Sequence, residues 1–138
     1  VNFVQLIQVT LVLSGAGHLS AVQEESTKAA KSTKALNAHL MQKARGSNDV
    51  NFLASPVTGG GVAVNRFAQL FVQSLQQGKK KPEEWAKEVW AAISAQGQRL
   101  IKEGKTLESA EDNLKEITQQ AEAFAQKQLP ILKALGVA

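Results

Sequence analysis

The sequence predicts a mainly α-helical fold, a helical bundle in one domain that covers residues 1–138. Apolar residues recur at helical spacing along most of the chain, and helix-forming Ala, Gln, Glu, Lys and Leu dominate it. One long connecting region, residues 46–63, is rich in glycine and proline, and it separates a long helical stretch from three shorter ones. A chain of 138 residues can bury one modest core.

The longest predicted helix covers residues 18–45, with Gly46 as its stop signal. Alternating steps of three and four residues define a heptad-patterned seam, made of Leu19, Val22, Ser26, Ala29, Thr33, Leu36 and Leu40. Its small middle residues allow a second helix to approach closely, as in a coiled coil. The partner is either the segment 114–124 of the same chain, in an antiparallel pair, or the same helix of another copy.

The N-terminal segment, residues 1–17, is apolar and is interrupted by Gln5, Gln8 and Thr10. A membrane span needs about 20 apolar residues, which this segment lacks. No basic residue precedes the apolar stretch, although a signal peptide usually has a charged beginning. We therefore expect a buried helix or strand, and the alternative is a secretion signal whose start is missing.

The connecting region 46–63 contains a Ser-Pro pair at 55–56 and three consecutive glycines at 59–61, which forbid a helix. Its apolar patches predict either a small β-hairpin or the anchors of a long loop. Phe52 and Leu53 lie where a solvated connector is normally polar. They are expected to pack on the protein's own helices or on another subunit, and docking on a subunit is the favoured interpretation.

Three helices are predicted after the connecting region, over residues 64–78, 82–103 and 109–129. Pro82, followed by two glutamates, is typical of a helix start, and Ser109 with Asp112 indicates a capping box. Pro130 ends or kinks the last helix. Trp85 and Trp90 are five residues apart, so one of them can be buried while the other, Trp90, faces outward and indicates a binding surface.

The sequence predicts no catalytic, cofactor or metal site. The absence of cysteine excludes disulfides and thiolate chemistry, and two histidines are too few for most metal cages. The glycine triplet lacks the pattern of a phosphate-binding loop. The three lysines at 79–81 have no interleaved aromatic residue, so nucleic acid is not expected as a partner.

These features favour a non-enzymatic structural or assembly protein that forms a homo-oligomer or a larger protein assembly. Charge is uneven, since residues 1–81 carry nine basic and three acidic side chains while residues 82–138 carry seven and nine, and such polarity suits head-to-tail association. The predicted interface residues are Val22, Ser26, Ala29, Thr33, Leu36, Phe52, Leu53 and Trp90. A phage virion component of the neck, tail or ejection type is one setting, in the virion or the cytoplasm. The alternative is an amphipathic bundle that binds lipid, like the insect apolipophorins.

Overall fold

The computed structural model of the chain describes residues 2–19, 21–24 and 26–138. Val1, Ser20 and Glu25, which belong to the predicted segments 1–17 and 18–45, lie outside the described residues. Within the described ranges the helices are α1 (Phe3–Gly15), α2 (Thr27–Ala44), α3 (Arg66–Gln76), α4 (Pro82–Ser94), α5 (Ala110–Lys127) and α6 (Leu129–Ala134). The strands are β1 (Phe52–Ala54), β2 (Gly61–Ala63), β3 (Ile101–Lys102) and β4 (Lys105–Thr106). The prediction of a mainly helical fold with a small β-hairpin is confirmed.

The core forms where α3, α4 and α5 pack together. Phe71, Trp85 and Phe124, one from each helix, are buried, with ring centroids 5.4 to 6.3 Å apart. Tilted and edge-on aromatic pairs at such distances add to the free energy gained from burial. The indole N–H of Trp85 donates to the backbone oxygen of Lys79 at 2.8 Å, so its polar atom is satisfied.

Helix α2 begins at Thr27, so the prediction of a helix from residue 18 is wrong at its start. Ser26 has an extended backbone, and its hydroxyl oxygen accepts a hydrogen bond from the backbone N–H of Ala29 at 3.2 Å. A serine in this position caps a helix and satisfies a donor that the first turn leaves free. Residues 21–24 have no regular secondary structure.

The predicted pairing of α2 with residues 114–124 is also wrong. Helix α2 packs against α3 and β1, whereas α5 packs against α4, α3 and α6. The buried residues of α2 are Asn37, Met41 and Ala44. This stripe is displaced by one position from the predicted seam, because Asn37, a polar residue, faces inward and bonds to β1.

The predicted helix 82–103 ends at Ser94, and a second hairpin, β3–β4, follows it. Gly97 has a φ of +68°, which interrupts the helix after its C-terminal turn. Glu103 and Gly104 form the two-residue turn between β3 and β4, with φ angles of +51° and +78°. A positive φ at both central residues is typical of a tight hairpin turn.

The other predicted helices are displaced only at their ends. Asn65 caps α3, because its side chain accepts from the N–H of Ala68 at 2.9 Å. Ser109 caps α5 in the same way, through the N–H of Asp112 at 3.0 Å. Pro82 begins α4, as predicted. Helix α5 ends at Lys127, and Pro130 lies in the first turn of the separate short helix α6.

Candidate docking surface

The connecting region between α2 and α3 is part of the folded body. Asn37 of α2 bonds to both backbone groups of Ala54 in β1: its amide accepts from the N–H and donates to the oxygen, each at 2.7 Å. In β1, Leu53 points into the core and is 1% exposed, whereas Phe52 points outward and is 58% exposed. Leu53 therefore packs on the protein's own core, which was the alternative expectation for it. Of these two residues, Phe52 is the one that is exposed to a partner.

Ser55 holds the tip of the β1–β2 hairpin against the C-terminal turn. Its buried hydroxyl donates to the backbone oxygen of Leu135 at 2.6 Å. The same oxygen atom accepts from the N–H groups of Val57 and Thr58, each at 3.2 Å. One side chain thus shapes the turn and ties it to the end of the chain, which explains why a serine precedes Pro56.

The segment between α1 and α2 is attached to this hairpin tip through Gln23. Its backbone N–H donates to the oxygen of Val57 at 2.9 Å, and its side-chain amide donates to the oxygen of Pro56 at 2.8 Å. Gly59, with a φ of +72°, allows the approach, since a Cβ there would lie 2.8 Å from the Gln23 side-chain oxygen. A groove of about 650 Å³ opens beside this attachment, and its lining includes Val22, Ser26 and Val57.

A second groove, of about 420 Å³, lies between the β1–β2 hairpin and α6. Its apolar lining includes Phe52, Val62, Ile131 and Leu132. Ile131 is 59% exposed, similar to Phe52. The polar side chains that line it, those of Asn51, Asn65 and Gln128, are uncharged. We call this surface the hairpin groove.

Helix α1 is the largest exposed apolar element among the described residues. None of its residues is buried, and within the described part of the chain it packs against no other helix or strand. Seven of its large apolar side chains range in exposure from 42% for Ile7 to 75% for Phe3, and Leu13 is half-buried. The prediction that the N-terminal segment is buried is therefore wrong, although its helical alternative is correct. No helix in the described ranges has the length and apolar character needed to cross a membrane.

Some of the polar side-chain atoms of α1 and its cap are hydrogen-bonded within the helix. Asn2 and Gln5 form a reciprocal capping box, with hydrogen bonds of 2.8 and 3.1 Å. The hydroxyl of Thr10 donates to the oxygen of Leu6 at 2.8 Å. Burying these bonded atoms in an apolar environment costs little free energy, because they need no partner outside the helix.

The predicted interface residues do not form one seam. Val22 is exposed beside the first groove, Ser26 caps α2, and Leu36 is exposed on α2. The remaining residues are buried to different degrees: Ala29, Thr33 and Trp90 are half-buried, Leu53 is in the core, and Phe52 lines the hairpin groove. Sequence reasoning missed Ile131 and α1, although an apolar pattern on every side of α1 was visible in the sequence.

Several charged groups around the lysine run 79–81 take part in a local ion pair and a helix cap. Lys79 pairs with Glu88, and the carboxylate of Glu84 accepts from the backbone N–H groups of Lys80 and Lys81 at 3.1 Å. The lysine run therefore connects α3 to α4. Among the described residues, no group of three or more His, Cys, Asp or Glu side chains is placed to hold a metal ion.

The chain is similar to a longer protein, "Uncharacterized protein sll1526" of Synechocystis sp. The two sequences are 37% identical over 134 residues. The match covers 96% of this chain and 26% of the Synechocystis protein, so the chain spans about a quarter of the length of that relative. No family model and no solved structure matches the chain.

Proposed function

We propose that this chain is a non-enzymatic assembly module that associates with another protein surface through the apolar surface of α1. The observation that carries the proposal is the exposure of seven large apolar side chains around one helix of 13 residues. Soluble proteins rarely leave a continuous apolar surface of this kind in water, and where they do it usually marks an interaction site.

The size of the effect supports a stable association. Burying one large apolar side chain contributes about 1.5–3 kcal/mol, so covering most of α1 yields on the order of 10 kcal/mol before costs. Association itself costs roughly 4–15 kcal/mol. A partner that covers one face of α1 would therefore bind weakly, and a partner that surrounds the helix would bind tightly.

Light scattering on the isolated chain tests this proposal. With α1 uncovered, we expect weak self-association, so the average mass should rise above 14.8 kDa only as the concentration is raised through the micromolar range. The double variant Leu6→Gln, Val9→Gln should shift the chain towards monomer, because it makes one part of α1 polar. Ile101→Gln is the matched control, since Ile101 is also an exposed large apolar residue but lies in β3. Equal masses for all three proteins would count against α1 as the associating element.

The second candidate function is lipid binding, which the apolar surface of α1 also favours. Helices that lie in a membrane interface usually combine an apolar face with a basic polar face. Helix α1 has no basic residue and is apolar on all sides. Flotation with phospholipid vesicles separates the two functions: an assembly module stays in the protein fraction, and a lipid-binding bundle floats with the vesicles and clears them.

The virion setting predicted from the sequence gains no support from the similarity to a cyanobacterial protein. The proposed role is therefore that of an assembly module, and a virion is not part of it.

A further inference from the structure

We propose that α1 docks into an uncharged apolar cleft of a further folded region in a longer polypeptide of the sll1526 kind. The inference rests on the proposed function and names the partner of the same surface. Four observations support it: the chemistry of α1, its stability, the extent of the match and the attachment at Gln23.

The composition and length of α1 suit the interior of a protein better than a lipid bilayer. A helix that is apolar on all sides belongs in the core of a large protein or in a membrane. At 1.5 Å per residue its 13 residues span about 20 Å, which is shorter than the hydrocarbon core of a bilayer at about 30 Å. The cleft that receives it should be uncharged, because no residue from Phe3 to Gly15 is charged.

The stability of α1 also requires a partner. Helices shorter than about 12–15 residues are marginal in water even when their sequence favours the helix. Helix α1 contacts no other helix or strand within the described residues, and it is rich in β-branched Val, Ile and Thr, which form helices less readily than Ala or Leu. Its helical form therefore depends on packing that the other helices and strands of the described residues do not provide.

The match to the Synechocystis protein places a counterpart of α1 in a longer chain. The match covers 96% of this chain, which leaves only about six residues outside it. Because α1 contains 13 residues, about half of the helix or more lies within the matched stretch. That relative has about three quarters of its length beyond the match, which is enough polypeptide for further folded domains.

The attachment at Gln23 leaves α1 free to reach a neighbouring domain. Gln23 is fixed to the hairpin tip by its two hydrogen bonds to the backbone oxygens of Pro56 and Val57. Since the N–H groups of residues 17–19 bond back to the end of α1, the connection from Leu19 to Gln23 can extend over at most about 14 Å. The folded body can therefore keep its own core while α1 enters a second one.

A chimera tests the inference: this chain replaces the matched segment of sll1526, and hydrogen exchange is measured on residues 3–15. We expect exchange about tenfold slower or more in the chimera than in the isolated chain, because docking protects the helix. The double variant Leu6→Gln, Val9→Gln should lower the Tm of the chimera and leave that of the isolated chain unchanged. Ile101→Gln should change neither. Exchange that is equally fast in the chimera and in the isolated chain would overturn the inference.

If the chimera does not fold, sll1526 itself provides the measurement. The counterpart of α1 should exchange slowly in the intact Synechocystis protein and rapidly in its matched segment alone, and rapid exchange in both overturns the inference. Protection of α1 in the isolated chain as strong as in the chimera, together with a dimeric mass that persists on dilution, would make a second copy the partner. The inference would then fail while the proposed function stands. Protection that requires vesicles would contradict both.

Discussion

The hydroxyl of Ser55 donates a hydrogen bond of 2.6 Å to the backbone oxygen of Leu135, which lies 80 residues further along the chain. This bond joins the tip of the β1–β2 hairpin to the C-terminal turn. The same hairpin tip holds Gln23 and thereby the segment that leads to α1. The stability of the hairpin tip consequently determines where the proposed docking helix leaves the body.

Replacing Ser55 with alanine should destabilise the protein by about 1–3 kcal/mol, because the oxygen of Leu135 loses its donor and the turn loses its acceptor. Urea unfolding measures the change. Ser94→Ala is the control, since the Ser94 hydroxyl is exposed and makes a bond of 3.4 Å to its own helix. Equal stability of the two variants would show that the Ser55 bond contributes nothing net.

Gly136→Ala should be more destabilising than Gly97→Ala. Both glycines have similar positive φ angles, +70° and +68°, so an alanine at either position has the same backbone strain. At Gly136 a Cβ would also lie 2.8 Å from the side chain of Pro56, whereas at Gly97 nothing lies within 4 Å. The difference in the free energy of unfolding isolates the close contact, and equal losses would mean that the contact relaxes freely.

Leu53→Ala and Phe52→Ala separate the two faces of β1. Leu53 is buried, so its truncation should cost about 2–5 kcal/mol in the free energy of unfolding. Phe52 is mostly exposed, so its truncation should change stability by about 0.5 kcal/mol or less. A large loss of stability for Phe52→Ala would show that its ring supports the fold rather than a free groove.

The helix starts at Pro82 and Ser109 were predictable because they depend on local chemistry. A proline fits the first helical turn, and a serine hydroxyl satisfies a backbone N–H three residues away. The start of α2 was missed although Ser26 has the same chemistry, because the residues before it have high helix propensity. The attachment of Gln23 to the hairpin tip overrides that propensity, and such a contact between distant residues leaves no local signal.

The candidate site was less predictable than the fold. Asn37 occupies a buried position that the apolar pattern assigned to its neighbour Leu36, and the reason is its pair of bonds to Ala54. Phe52 and Leu53 were both expected at an interface, but strand alternation turns one outward and the other inward. Helix α1 was expected to be buried because its sequence is apolar. The sequence of a segment shows how apolar it is, but it does not show which partner covers it.

Acid should weaken the ion pair between Lys102 and Glu116, whose charged atoms lie 2.6 Å apart. The hydrogen bond from Lys102, with a second from Gln120, lowers the pKa of Glu116 below 4.5. The unfolded state therefore binds the proton more tightly, and this contribution to stability is present above pH 4.5 and is lost as pH falls through the folded pKa. Glu116→Gln should reduce the loss of Tm in acid, and high salt should have a similar effect because the Lys102 side chain of the pair is about half exposed to solvent. Identical acid profiles for the two proteins would contradict this.

Arg66→Lys should be costly even though it preserves the charge. The Arg66 guanidinium donates to the backbone oxygens of Ala44 and Arg45 at the end of α2, at 2.7 and 3.0 Å, and to the side chain of Gln98 at 2.8 Å. A lysine ammonium has no planar fork and cannot reach all three acceptors. We expect a loss of about 1.5–3 kcal/mol in the free energy of unfolding.

Arg99→Lys is the matched control, because Arg99 is exposed and pairs only with Glu108 among the described residues, so its replacement should be nearly neutral. If Arg66→Lys proves as mild as this control, the junction of α2, α3 and the loop after α4 does not depend on the fork.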